Sequence, residues 1–140
     1  MIPNLNLYVG PMFSGKSTKL LQQVDRYKFA KKDIVCFKPK MDNRYTQEGF
    51  IVTHSGNKVP CVLVSTGKDI VDFFKDKDLP DAIAVDEAFM IDDIANTCLN
   101  FFYDKRIDVL VSTLDLSSSL SSFEEVSTLL GHATKIKKCK

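Results

Sequence analysis

Gly10-Pro11-Met12-Phe13-Ser14-Gly15-Lys16-Ser17 places two glycines, a lysine and a hydroxyl residue in the order of a phosphate-binding loop. Leu5, Leu7, Tyr8 and Val9 form a short apolar, partly β-branched run just before it. Ser17-Thr18-Lys19-Leu20-Leu21-Gln22-Gln23-Val24 follows, with good helix formers and apolar residues at helical spacing. A strand feeding a glycine-bearing loop that opens a helix lets the loop N–H groups and the helix N-terminus converge on an anion. A chance Gly/Lys/Ser turn would carry the same residue types, but not in this order of strand, loop and helix. Gly10 through Ser17, with Thr18, are therefore the candidate nucleotide-binding residues. Lys16 would add a mobile positive charge near the terminal phosphates, and Ser17 a hydroxyl ligand for magnesium.

The 140 residues suit one domain, 1–140, with 44% hydrophobic and 26% charged residues as in an ordinary globular protein. A formal net charge of +1 makes no electrostatic case for nucleic acid or an anionic membrane as the main partner. Lys135-Ile136-Lys137-Lys138-Cys139-Lys140 reads as a short solvated basic tail. Met1-Ile2-Pro3-Asn4 lacks the basic start and long apolar stretch of a signal peptide, and no apolar run is long enough to span a bilayer. Cys36, Cys61, Cys98 and Cys139 form no Cys-x-x-Cys pair, so neither a zinc site nor a redox pair is expected. Cys36 and Cys61 lie in strand-like apolar runs and read as small buried hydrophobes; reduced thiols in a cytoplasmic setting are the expectation.

Strand and helix patterns alternate along the chain. A first helix is expected over roughly Ser17 to Phe29, then a strand at Ile34-Val35-Cys36-Phe37 stopped by Pro39. Met41 to Val59 is polar and weakly periodic, a long functional loop or small hairpin. Val62-Leu63-Val64, Ala82-Ile83-Ala84-Val85 and Ile107 to Val111 read as further strands. Asp69 to Lys75, Ile91 to Tyr103 and Phe123 to Leu130 read as helices. The alternation predicts a single α/β domain, a parallel sheet of the P-loop NTPase type flanked by helices.

Ligands of such a sheet bind beyond its C-terminal strand ends. Asp86 and Glu87 emerge at one of them. There an acidic residue can contact magnesium while its neighbour accepts a proton from an acceptor hydroxyl. Alone, Asp-Glu at a strand end is compatible with a solvated turn; beside a phosphate loop the functional reading dominates.

At this point the motifs resemble the cellular and bacterial type of thymidine kinase. Gly10 through Thr18 resembles the family's opening loop. Phe37-Lys38-Pro39 with Asp42-Asn43-Arg44-Tyr45 resembles its lysine-proline and Asp-x-Arg-Tyr stretch, and Thr53-His54-Ser55-Gly56 its Thr-His-Ser-Gly segment. Val85-Asp86-Glu87-Ala88 resembles its acidic strand end, and Leu114-Asp115 the start of its Leu-Asp-Gly-x-Phe segment. The resemblance implies transfer of the γ-phosphate of ATP to the 5′-hydroxyl of thymidine, with Mg2+, in deoxynucleotide salvage. It implies that Glu87 is the catalytic base and that Arg44 offsets charge on the reacting phosphates. Asp86 would join Ser17 at the magnesium. For Arg44 a surface ion pair with Asp42 or Glu48 stays open, and for His54 a hydrogen-bonded loop role. The resemblance further implies a dimer or tetramer.

Departures fall on the nucleoside side. Phe89 stands where the family has Gln, and Met90 where it has an aromatic. Leu116-Ser117-Ser118 replaces Gly-x-Phe, so a serine stands for an aromatic wall of the base pocket. Ser122-Phe123-Glu124 replaces Pro-Phe-Gly. The family continues into a zinc-bearing lobe with paired Cys-x-x-Cys motifs and a closing loop. The sequence to Lys140 holds no such pair, so zinc is not expected from it and Cys139 is not read as a ligand. The alternative is thus a degenerate, weakly active or inactive nucleotide-binding protein in regulation or assembly. A mechanical or signalling P-loop NTPase would have no need of the Asp-x-Arg-Tyr and Thr-His-Ser-Gly segments.

Overall fold

The apolar run ahead of the phosphate-loop motif forms a strand, Leu5–Val9 (β1), in which Leu5, Leu7 and Val9 are all but sealed from solvent. The architecture comes from a computed structural model describing residues 2–11, 14–40, 49–52, 56, 58–114 and 120–140. After β1 come helix Lys16–Phe29 (α1), strand Ile34–Pro39 (β2) and the short strands Phe50–Val52 (β3), Lys58–Pro60 (β4) and Val62–Val64 (β5). Helix Gly67–Phe73 (α2), strand Ala82–Val85 (β6), a 3-10 turn Ala88–Met90 and helix Ile94–Leu99 (α3) follow. A π-helical turn Asn100–Asp104, strand Asp108–Thr113 (β7), helix Leu120–His132 (α4) and strand Lys135–Lys138 (β8) complete the order.

Six strands make one parallel sheet in the order β5-β2-β6-β7-β1-β8, while β3 and β4 pair antiparallel as a separate hairpin. Parallel neighbours need crossovers that cover both faces, which is why central strands read as unbroken apolar runs. All four residues of β6 are buried. On one face Leu5, Leu7, Phe37, Ile83 and Val111 pack with Ile70, Ile94, Cys98, Phe101 and Leu129 from α2, α3, the π turn and α4. On the other, Tyr8, Cys36, Ala84 and Leu110 meet Leu20, Leu21 and Val24 of α1 and Ile51 of the hairpin. Phe37 meets Phe73 and Phe74 edge-on at centroid distances of 5.6 and 5.8 Å, a favoured aromatic arrangement.

Several expectations are corrected. The basic terminal segment is no solvated tail. It is β8, in register with β1 as Asn6↔Lys135 to Val9↔Lys138. Its four side chains are all exposed, so its composition reads as solvated, while its backbone satisfies the edge of β1. Thr134 N–H donates to Leu5 O and Cys139 N–H to Val9 O, each at 2.7 Å. Strand β2 runs through Pro39, because the donor proline lacks would face the side where β6 has already ended; Lys40 N–H resumes the bonding, to Val64 O at 2.9 Å. Cys61 lies between β4 and β5 and is half-buried, whereas Cys36 is buried within β2. Helix α2 starts earlier than its apolar spacing, at a capping box in which Thr66 accepts from Asp69 N–H. Among the described residues no helix is long and apolar enough to cross a membrane.

Candidate active site

The loop after β1 is shaped by two glycines for different reasons. Gly10 N–H donates to Thr113 O on β7 at 3.3 Å. A Cβ on Gly10 would lie 2.4 Å from the Cys139 carbonyl oxygen and 2.6 Å from Ser14 Oγ, so packing alone excludes a side chain. Gly15 has no neighbour in the way, but its φ of +83° is left-handed, and it stands at the N-cap of α1. No side chain caps that helix and no acidic residue sits in its first turn, so the electropositive end is left to an anion. Lys16 is buried at 6% exposure, with its Nζ donating to Pro11 O at 3.4 Å. Ser14 Oγ is buried without a hydrogen-bond partner, as expected of a hydroxyl whose partner is a ligand.

Asp86 follows β6, its N–H donating to Phe37 O at 2.9 Å, and is 5% exposed. Ser17 Oγ, one residue into α1 past Lys16, donates to Asp86 Oδ1 at 2.8 Å. The same Oδ1 accepts a short hydrogen bond from Ser112 Oγ on β7, the strand between β6 and β1. Ser112 Oγ also lies 3.4 Å from Glu87 N as its acceptor. Glu87 has φ 50° and ψ 47°, left-handed for a non-glycine residue, and opens the 3-10 turn. Next to Ser112, Thr113 is fully buried, and its Oγ1 has no partner.

A family model for thymidine kinase matches residues 3–140 of this chain. Over all 140 residues the chain is 34% identical to a protein named thymidine kinase from Pseudothermotoga lettingae, covering 74% of that protein's length. The chain belongs to the thymidine kinase family.

Within this thymidine kinase-family chain, the structure brings together Gly10, Pro11, Ser14, Gly15, Lys16, Ser17, Asp86 and Glu87 around one end of the parallel sheet. Thr18 is half-buried on the first turn of α1. Met12, Phe13 and Arg44 lie outside the described residues, as do Asp42, Asn43, Tyr45, Thr53, His54, Ser55 and residues 115–119. Sequence reasoning missed Ser112 and Thr113. Their signal was two hydroxyl residues ending the apolar run Val109-Leu110-Val111. It also missed Cys139, whose backbone walls Gly10.

The site presents hydroxyl, carboxylate and ammonium groups. Burial pushes the Cys36 and Cys98 thiols up to about 12 and Cys61 to about 11, so none is a nucleophile near neutral pH. A hydroxyl and a carboxylate in contact, Ser17 and Asp86, are hard oxygen donors that fit magnesium. Unpartnered Ser14 Oγ, Lys16 and the open end of α1 fit a polyphosphate.

Proposed function

We propose that the chain transfers the γ-phosphoryl group of ATP to the 5′-hydroxyl of thymidine. The observation that carries this reading is the contact of Ser17 Oγ with Asp86 Oδ1 at 2.8 Å, with Glu87 as the very next residue. It joins the phosphate-binding half of the site to the carboxylates across an intervening strand.

Phosphoryl transfer asks little covalent chemistry of a protein; positioning and charge stabilisation dominate. The loop N–H groups and the N-terminus of α1 hold the β- and γ-phosphates. Lys16 Nζ, which rests on Pro11 O, turns to the terminal phosphate. Ser17 and Asp86 would hold a magnesium ion, which would supply positive charge against the phosphates. Glu87 accepts the proton of the thymidine 5′-hydroxyl as that oxygen attacks phosphorus. Arg44 stabilises charge on the equatorial oxygens. Incubation with γ-labelled ATP, magnesium and thymidine tests the reading. Labelled thymidine monophosphate is the expected product, and label released only as inorganic phosphate would refute it.

A second reading, a nucleotide-binding protein without turnover, is favoured by Phe89, half-buried, and Met90, 39% exposed, where the resemblance calls for Gln and an aromatic. Tight ATP binding with no thymidine-dependent turnover would select it.

A further inference from the structure

Ser112 stands between the two carboxylate residues and touches both. It is fully buried near the end of β7, paired with Tyr8 of β1, while the preceding Val111 pairs with Val85, the residue just before Asp86. A serine hydroxyl has one proton and two lone pairs, and a carboxylate can only accept. The proton therefore goes to Asp86 Oδ1, and a lone pair faces the Glu87 amide N–H. The direction of both bonds follows from the chemistry of the three groups.

Two features need such a bridge. Glu87 holds a left-handed backbone that costs a non-glycine residue free energy and persists only where its surroundings impose it. Its carbonyl is tied by Met90 N–H at 3.1 Å, and its amide end is tied by Ser112. Asp86 Oδ1 receives hydroxyls from two elements, Ser17 of α1 and Ser112 of β7, which together fix the plane of the carboxylate. Resting on the reaction proposed above, we infer that Ser112 is a positioning residue. It locks the Glu87 backbone so that the base is aimed, and it orients Asp86 toward Ser17. The hydrogen bond of Ser112 to the Glu87 amide acts on the base directly, while its bond to Asp86 acts on the ATP side at second hand, so the larger effect falls on turnover.

The test compares wild type, Ser112→Ala and Ser112→Thr, the last keeping the hydroxyl with a β-branched side chain suited to a strand. Ser112→Ala is expected to lower kcat on the order of tenfold or more, the scale of a misaimed group, with KM for ATP within about twofold. Ser112→Thr is expected to recover most of kcat. In nucleotide-free protein, amide hydrogen exchange at Glu87 is expected to speed up on the order of tenfold in Ser112→Ala and to stay slow in Ser112→Thr. A Ser112→Ala kcat within twofold of wild type, a Ser112→Thr variant no better than Ser112→Ala, or unchanged Glu87 exchange would each overturn the role. Failure of the reaction itself shows separately, as absent thymidine monophosphate from wild type, while the exchange readout needs no substrate.

Discussion

Gly10→Ala puts a single methyl group where the phosphate loop meets the last strand. The new Cβ would sit 2.4 Å from Cys139 O, 3.2 Å from Cys139 C and 2.6 Å from Ser14 Oγ. Carbon contacts are comfortable only from about 3.5 Å, so roughly 1 Å of movement is required. Ser14 can rotate, but the Cys139 carbonyl is backbone, held by its own N–H on Val9 O at 2.7 Å. Relief must come from peeling the end of β8 off β1 or from pushing the loop away. Overpacking of this kind costs about 1–3 kcal/mol, and the hydrogen bond lost with it about 1 kcal/mol. A loss of about 2–4 kcal/mol follows, or roughly 7–14 °C in Tm for a domain of this size. Gly15→Ala is the internal control. It meets nothing within 4 Å, and only its φ of +83° is strained, for about 1–2 kcal/mol. Urea and thermal melts of both variants supply the numbers, and amide exchange at Cys139 reports whether β8 has let go. If Gly10→Ala cost no more than Gly15→Ala, the contact between loop and last strand would be wrong.

Two further outcomes follow from the titratable groups. Glu125 of α4 accepts the Ala95 N–H at 2.9 Å; burial pushes its carboxyl up, the Asp93 and Asp92 carboxylates add to this, and backbone N–H groups of Ala95 and Asp93 oppose it. A folded value above the unfolded one gives stability that is full below the unfolded value and is lost as pH rises through the folded value. Glu125→Gln, neutral at every pH and still an acceptor, should therefore gain stability relative to wild type between about pH 4 and pH 7, by urea melts at both. A constant difference across that range would contradict the raised Glu125 carboxyl. The thiols of Cys36 and Cys98, pushed up to about 12, should react with a soluble disulfide reagent at about pH 8 roughly a thousandfold slower than an unperturbed thiol. Their rapid labelling in the native chain would contradict the core as described.

The central unit was legible because its local patterns change where its chemistry sits. The apolar run Leu5–Val9, the glycines and the helical spacing after Lys16 switch period within a dozen residues, and a parallel strand leaves no doubt in a run such as Ala82–Val85. Strand β8 was not legible, because its contribution is backbone pairing and all four side chains are exposed. The π turn at Asn100–Asp104 escaped for a similar reason. Its adjacent Phe101 and Phe102 are both buried, as adjacent Leu20 and Leu21 are in α1, so the spacing of buried residues does not mark the wider turn. At the site, Lys16, Ser17, Asp86 and Glu87 announce themselves by type and order. Ser112 does not: a serine in a strand is ordinary, and only the register across β6, β7 and β1 delivers it to Asp86. The requirement for Gly10 depends on Cys139, at the far end of the chain, where no local pattern reaches.

In the proposed reaction the phosphate loop and the acidic end of β6 form one phosphoryl-transfer site with Glu87 as its base. Steady-state kinetics of Glu87→Gln beside wild type, with ATP, magnesium and thymidine, test this. Gln keeps the size and the backbone but cannot take a proton, so kcat should fall about 10²–10⁴-fold while KM for ATP stays within a few-fold. A Glu87→Gln variant that retained kcat within threefold of wild type would contradict a role for Glu87 as the base.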